Sequence, residues 1–465
     1  MAHINDLPAE IILLIFEEFD TSRLLQLEKV CQKWENVLRS KTSPWQTGIE
    51  LDCRTKSSEE KQKLQAILAR SRGEIHAWKI TISDSTVGFY RDTFDRIPTS
   101  KVQSLHIKLL YDRDLIELAD YNGIELTDNF RIDYVDPTCY RLDRLQEKIE
   151  AIQLQRERDY DILVHAVKQC SDLTSLNFCI DNMISLLLGS DLKSHPLARC
   201  KLKSLSLEGI DLDSLCNDGS IFNMVSQAQH IDILGYDILG SDMNVVRIVN
   251  AAKDTLETCS LELPGILDPD DSSRSINLPR LQKLRISSHD PLNGSMQYSS
   301  TCPNLRYLRL SGCLPSALCA DLLTDSVSVL HLELHLELIK ELCQSLRNNL
   351  RRCSNLSTIR LTEVKIGLKD VLDELTTLPI EEFVVDGTCD SCEVFPQFFR
   401  ERSKKLGTKR MKLLLFYHYD EPNLKVLEQL SQYCEVVQAF NKNREDSTYS
   451  EEDAQLLRYG RKLGL

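Results

Sequence analysis

No stretch of this 465-residue chain is apolar over the roughly 20 residues a membrane span requires. Positive charge is also scarce. Lys and Arg number 56 against 70 Asp and Glu, a net charge of −14, whereas a nucleic-acid-binding surface is basic. Neither a membrane nor a nucleic acid is therefore expected as a partner. The first residues include Asp6 and lack the basic, apolar, small-residue order of a signal peptide. The 16 cysteines are scattered, not set in a compact framework, so reduced thiols and a cytoplasmic or nuclear location are expected. Catalytic signatures are missing too: there is no Gly-rich phosphate loop, no GxSxG and no HExxH. Cys389 and Cys392 form a lone CxxC without the second pair a zinc site needs, and they are expected to be two loop thiols. His331 and His335 lie four apart, but on a predicted strand and not on one helix face. The expectation is a non-enzyme with no metal and no cofactor.

What is present begins in the first forty residues. Apolar residues recur at Ile11, Leu14 and Ile15, then at Leu24, Leu27, Cys31 and Trp34. This spacing places each set on one face of a short helix. Pro8 suits a helix start, and Asp20 and Ser22 can cap the next helix. Three such helices make a unit too small to be stable alone, and their apolar residues exceed the needs of one tiny core. That excess points to a partner.

The ordered series Leu7-Pro8, Glu10-Ile11-Ile12, Asp20-Thr21, Leu24-Leu25-Gln26-Leu27, Val30-Cys31 and Trp34 closely resembles the F-box. Thr21 departs from the family, which often has Pro there. The resemblance implies docking onto the Skp-family adaptor of a cullin–RING ubiquitin ligase. By motif position the adaptor-binding residues would be Leu7, Pro8, Ile11, Ile15, Leu24, Leu27, Val30, Cys31 and Trp34. The other reading of this stretch is a plain helical cap on the repeats C-terminal to it.

Beyond the F-box-like stretch, residues 57–72 read as an amphipathic helix with Leu64, Ile67 and Leu68 on one face. Then a six-residue signature, apolar at its first, fourth and sixth positions, begins to recur. Copies start at Ile75, Val102, Leu173, Leu202, Ala228, Leu256, Leu281, Leu305, Val327, Leu356, Ile380 and Met411. From Leu173 the starts lie roughly 22 to 31 residues apart, near the leucine-rich-repeat period. One strand and one helix cannot bury their shared apolar face alone, but stacked units bury it jointly. Residues 161–169 and 338–350 read as two of the backing helices. Cys170, Cys302 and Cys353 each precede a first Leu by three, and Cys313 follows Leu310 by three. A small, readily buried thiol fits the tight corner of such a unit. These units resemble the cysteine-containing leucine-rich repeats that often follow an F-box.

The expected fold class is α/β: a three-helix F-box at 1–45, a helical linker at 46–72, and a solenoid of curved parallel sheet backed by helices at 73–440. An insertion near 111–157 interrupts the solenoid, and a polar tail fills 441–465. Lys404, Lys405, Lys409, Arg410 and Lys412 form a basic cluster, which is either an import signal or a solvated turn. The resemblance implies a substrate-recognition subunit of an SCF-type ubiquitin ligase. The alternative is a cullin-independent F-box scaffold or a repeat-based interaction protein.

Alternation along each strand sends the third and fifth signature residues to the open face. Fifth positions read Asn177, Ser206, Asp232, Ser260, Arg285, Arg309, His331, Arg360, Val384 and Leu415. Arg285, Arg309, His331 and Arg360 would stack in one column roughly 15 Å long, with third-position Lys283 and Tyr307 alongside. Arg suits bidentate contact with carboxylate or phosphate, so an acidic or phosphorylated substrate segment is one reading. The other is neutralisation of the column by Glu262, Glu333 and Glu382 on nearby strands.

Overall fold

The computed structural model describes residues 6–16, 19, 21–40, 45, 49–52, 58–71, 75–83, 101–110, 170, 172–181, 201–208, 216, 220–234, 242–262, 274–288, 298–312, 316–333, 349–362, 368–386, 394–407, 411–418, 429–435 and 437–441. Expectations for the 111–157 insertion, the 161–169 helix, the Cys389–Cys392 pair and the tail beyond Asn441 lie outside the described residues, as does most of 338–350. Two compact units are present, Met1–Leu256 and Glu257–Leu465.

All twelve six-residue signatures carry a strand, and each strand begins at the third residue of its signature, from Ala77 to Leu413. The physical reason is burial. First, fourth and sixth side chains such as Leu202, Leu205 and Leu207, or Leu305, Leu308 and Leu310, are buried. A strand must start where alternation can hold the fourth and sixth positions on the same side.

In the first unit, α1 (Ala9–Phe16), α2 (Thr21–Leu27) and α3 (Gln32–Ser40) form the N-terminal helical bundle. Pro8 precedes α1, and its carbonyl accepts the N–H groups of Ile11 and Ile12. Next come β1 (Ile49–Asp52) and α4 (Ser58–Ser71). The parallel strands β2 (Ala77–Ser83), β3 (Ser104–Leu110), β4 (Ser175–Asp181), β5 (Ser204–Glu208) and β6 (His230–Leu234) come after them. Each of β2 to β6 pairs in register with the strand before it. Helices α5 (Ser220–Val225) and α6 (Asp242–Ala251) back the sheet with Ile221, Met224, Val245, Ile248 and Val249 buried.

The second unit repeats the design. Its parallel sheet runs β7 (Thr258–Glu262), β9 (Lys283–Ser288), β11 (Tyr307–Gly312), β12 (Val329–Glu333), β13 (Thr358–Thr362), β14 (Glu382–Asp386), β15 (Leu413–His418) and β16 (Val437–Asn441). A small separate pair, β8 (Arg274–Asn277) and β10 (Tyr298–Thr301), lies outside it. Helices α7 (Ser316–Leu322), α8 (Leu368–Leu375) and α9 (Val394–Leu406) back the second sheet. Phe383 of β14 packs on Phe395 and Phe398 of α9, each with ring centroids 5.9 Å away.

Four strands go beyond the repeated signature. β1 lies inside the stretch expected to be a helical linker. Its Ile49 and Leu51 pair with Trp78 and Ile80, the fourth and sixth positions of the next unit. β16 is a degenerate repeat: Cys434 bridges Met411, Val437 pairs with Leu414, and Ala439 with Phe416. Cys and Ala standing in for Leu hide it. β8 and β10 carry no copy of the signature.

Cysteine sits where the corner argument put it. Cys302 and Cys353 are buried, and their carbonyls accept the N–H groups of Leu305 and Leu356, closing the turn into each strand. Burial pushes both thiols up to about 12, so they stay protonated and inert.

Gly312, the last residue of β11, adopts φ +74°, and a Cβ there would stand 1.9 Å from the Ser288 carbonyl oxygen. Gly407, just after α9, adopts φ +80° with nothing within 4 Å of a Cβ. Both positions favour glycine, but only the first also needs the space. Gly407→Ala should cost about 1 kcal/mol through backbone strain alone. Gly312→Ala should cost at least about twice that, because the backbone of β9 must also move. Urea denaturation of the two variants, with hydrogen exchange over β9 and β11, measures the difference.

Candidate functional site

The N-terminal bundle turns two apolar faces in different directions. Ile12 and Phe16 point inward from α1 and are buried with Leu24, Val37 and Leu38. The Phe16 ring meets Trp34 edge-on at 5.3 Å. On the other side of α1, Ile11 is 42% exposed and Leu14 is 60% exposed, and after α2 Val30 is 59% exposed. Those three are among only five large apolar residues that stand exposed among the described residues. Pro8 is exposed as well, while Leu7, Ile15, Leu27, Cys31 and Trp34 are half-buried. The Lys33 ammonium donates to the Leu7 carbonyl at 2.9 Å and ties the entry segment to α3.

Leu24 is the one fully buried residue of the sequence-based set. It is buried because α2 needs an apolar anchor in its own small core, so it is not available for surface contact. Leu14, outside that set, is the most exposed apolar residue of α1. Its place on the Ile11 face is legible in the periodicity, but the motif positions alone do not select it.

A buried charge fastens this bundle to helix α4. Glu28 is only 7% exposed and accepts from Arg39 Nε at 2.9 Å, Arg70 Nε at 3.2 Å and Arg70 Nη2 at 2.6 Å. Arg70, on α4, also lies over the buried Trp45 ring at 5.3 Å, and Trp45 Nε1 donates to the Leu38 carbonyl at 2.9 Å. Burial raises the Glu28 pKa, but the hydrogen bonds and charges of Arg70 and Arg39 outweigh it and hold the carboxyl below its usual value. No sequence motif announces this joint. A lone acid beside an apolar helix is ordinary until its partners, 11 and 42 residues away, are known.

The second candidate surface lies on the sheet of the second unit. Register aligns Ser260, Arg285, Arg309, His331, Arg360, Val384 and Leu415 across successive strands, so the column falls on the fifth positions. Lys283 and Tyr307 are paired beside it. The Tyr307 ring receives two cations, Lys283 Nζ at 4.9 Å and Arg285 Cζ at 6.0 Å. Arg309 Nη2 donates to Glu333 at 2.6 Å, so one of the acids expected to neutralise the column does so. Glu382 accepts from Thr358 at 3.3 Å.

His331 stands in the same column but adds no charge to it. It is 5% exposed and shares a 2.8 Å hydrogen bond with the Thr362 hydroxyl. Burial, then the charges of Arg309, Arg360 and Arg285, push its pKa down to about 2. It is a neutral spacer between arginines.

Among the described residues, no three His, Cys, Asp or Glu side chains gather to hold a metal ion. Among them too, no helix is long and apolar enough to cross a membrane. Lys404 and Lys405 of the basic cluster occupy the last turn of α9, where cations suit the helix dipole, and Lys412 pairs with Glu381.

A family model described as F-box-like matches residues 4–47, and the chain carries an F-box-like domain there. No curated protein matches the chain. Among solved structures, a chain in the crystal structure of the Rad7 and Elc1 complex in yeast is similar at 12% identity. The match covers 97% of both chains with a TM-score of 0.34, and a likeness that distant carries no argument. The fold is therefore argued from the strands and their register: a helical bundle and then a leucine-rich-repeat-like parallel sheet, an architecture for protein–protein interaction.

The Glu28 joint has a pH signature. Its lowered pKa means the ion pairs contribute fully above the unfolded carboxylate value of 4.5, and the contribution is lost as pH falls through the lower folded value. Glu28→Gln should destabilise the first unit by about 1–3 kcal/mol at pH 7. That is less than a fully buried pair would lose, because Arg39 is largely in solvent. Urea midpoints measured from pH 7 to pH 3 should converge for the variant and the wild type at the acid end.

Proposed function

We propose that this protein is the substrate-recognition subunit of an SCF-type ubiquitin ligase. Its F-box-like domain docks a Skp-family adaptor, and through it a cullin, while the solenoid holds a protein substrate. The observation that carries this reading is the exposure of Ile11 and Leu14 on one side of α1, with Val30 exposed after α2. Large apolar side chains left in water by a small folded domain mark a protein contact when they adjoin one another. Ubiquitin chemistry belongs to other subunits in this reading. The chain contributes proximity, raising the effective concentration of a target lysine near the charged conjugating enzyme.

A cullin-independent scaffold would use the same docking face, so adaptor capture and cullin capture are measured separately. Truncating Ile11, Leu14 and Val30 together to Ala removes contact area without opening the core. Losses of about 1 kcal/mol or more each should weaken adaptor binding about 100-fold. Leu24→Ala should instead lower the melting temperature, with adaptor binding reduced only as far as the domain unfolds. Adaptor capture by the triple variant at wild-type strength would refute the docking face. Adaptor capture with no cullin from the same lysate would select the scaffold.

A further inference from the structure

Two consecutive residues of α3 reach the two ends of α1. At the far end of α1, the Phe16 ring meets the Trp34 ring edge-on at 5.3 Å. At the near end, the Lys33 ammonium donates to the Leu7 carbonyl at 2.9 Å, across 26 residues of sequence. α1 has 8 residues and is therefore only about 12 Å long. One grip at each end of so short a helix resists both sliding and rotation. Ile11 and Leu14, the exposed large apolar residues of α1, lie between the two grips.

The two grips differ in kind. Phe16 belongs to the buried core of the bundle, with Ile12, Leu24, Val37 and Leu38. Lys33 and Pro8 are exposed, and Leu7 is half-buried. Pro8 cannot help to hold the entry segment, because it has no N–H to donate. Its carbonyl is turned to the Ile11 and Ile12 N–H groups and starts α1. The Leu7 carbonyl, one residue earlier, is turned to α3. One exposed bond of this kind contributes little to global stability, since water competes for both groups. Its place suits another task, which is to hold a short entry segment in one conformation. A surface formed in advance binds more tightly than one that must be ordered on contact.

We propose that Lys33 is a positioning residue for adaptor docking. Its bond to the Leu7 carbonyl presets Leu7, Pro8 and the first turn of α1, so that Ile11 and Leu14 meet the adaptor in a surface already formed. The proposal rests on the reading that the adaptor docks on this side of the bundle, and it gives Lys33 a role that needs no contact with the adaptor. The competing account is direct contact between the Lys33 ammonium and an acidic group of the adaptor. The two accounts differ in the free protein, before any partner arrives.

The test uses the full-length protein and a purified Skp-family adaptor. Lys33→Met keeps the aliphatic stem and removes the donors, whereas Lys33→Arg keeps donors. Titration calorimetry reads Kd and stoichiometry, and hydrogen exchange on the free protein reads the Ile11 and Ile12 amides. Lys33→Met should weaken adaptor binding about fivefold, at unchanged stoichiometry and urea midpoint. In the same free sample, the Ile11 and Ile12 amides should exchange several-fold faster, because the first turn of α1 opens locally. Lys33→Arg should restore both to within about twofold of wild type. Wild-type affinity in Lys33→Met would overturn the proposal and leave the docking face standing. So would weaker binding with amide exchange in the free protein unchanged, which is the mark of direct contact, or a loss that Lys33→Arg does not restore. A lowered stoichiometry or urea midpoint with Kd unchanged would assign Lys33 to stability alone and overturn it too. No binding by the wild type would refute the docking reading itself, and the proposal with it.

Discussion

Register between neighbouring repeats is the constraint on which the rest depends. It is enforced at the second residue of most signatures. The carbonyl of His76 accepts both Gln103 and Ser104 N–H groups, and Gln103 does the same for Thr174 and Ser175. In the second unit the chain of carbonyls runs Glu257, Gln282, Arg306, Ser328 and Ser357, each accepting two N–H groups from the next repeat. Hydroxyls reinforce it where they occur: Thr174, Ser328 and Ser357 donate to the same carbonyls of the preceding repeat. Asn304 and Asn355, just before their first Leu, donate to Pro279 and Asp325 carbonyls one repeat back. A slip of one residue would turn every buried Leu to water, at about 1.5–3 kcal/mol for each. Packing and hydrogen bonding therefore demand the same register.

That constraint explains why the outward face can be anticipated residue by residue. Once the first, fourth and sixth positions are apolar, the fifth has no choice of side, and Arg285, Arg309 and Arg360 must align. What the pattern does not supply is depth. His331 occupies an outward position yet is buried, because the long side chains of Arg309 and Arg360 flank it on both neighbouring strands. Sequence alternation gives the side of the sheet, whereas exposure depends on the size of neighbours contributed by other repeats.

The same distinction separates what is legible elsewhere. The twelve repeats are legible because apolar residues, mostly Leu, Ile and Val, recur at fixed offsets, even in the weaker copies with Ala228 and Cys259. β1 and β16 are not, because edge repeats keep only part of the pattern: Ile49 and Leu51 at one end, Cys434, Val437 and Ala439 at the other. Terminal repeats have one neighbour to satisfy, so they tolerate weaker residues. The Glu28 joint is invisible for another reason. Its partners come from two other helices, and no local period relates an acid to bases 11 and 42 residues later.

The N-terminal bundle can be weighed between two roles, a cap on the sheet and a docking domain. Elements α2 and α4 pack on β1, an edge strand whose exposed ladder would otherwise invite pairing with another chain. Capping accounts for those contacts and for the Glu28 joint that fixes them. It does not account for α1. A pure cap gains nothing from apolar side chains on the surface facing away from its core, and polar residues at Ile11 and Leu14 would serve solubility better. Local rules are broken mainly where function requires it. The bundle breaks this one at Ile11, Leu14 and Val30, an exposure that a docking domain would require and a cap would not.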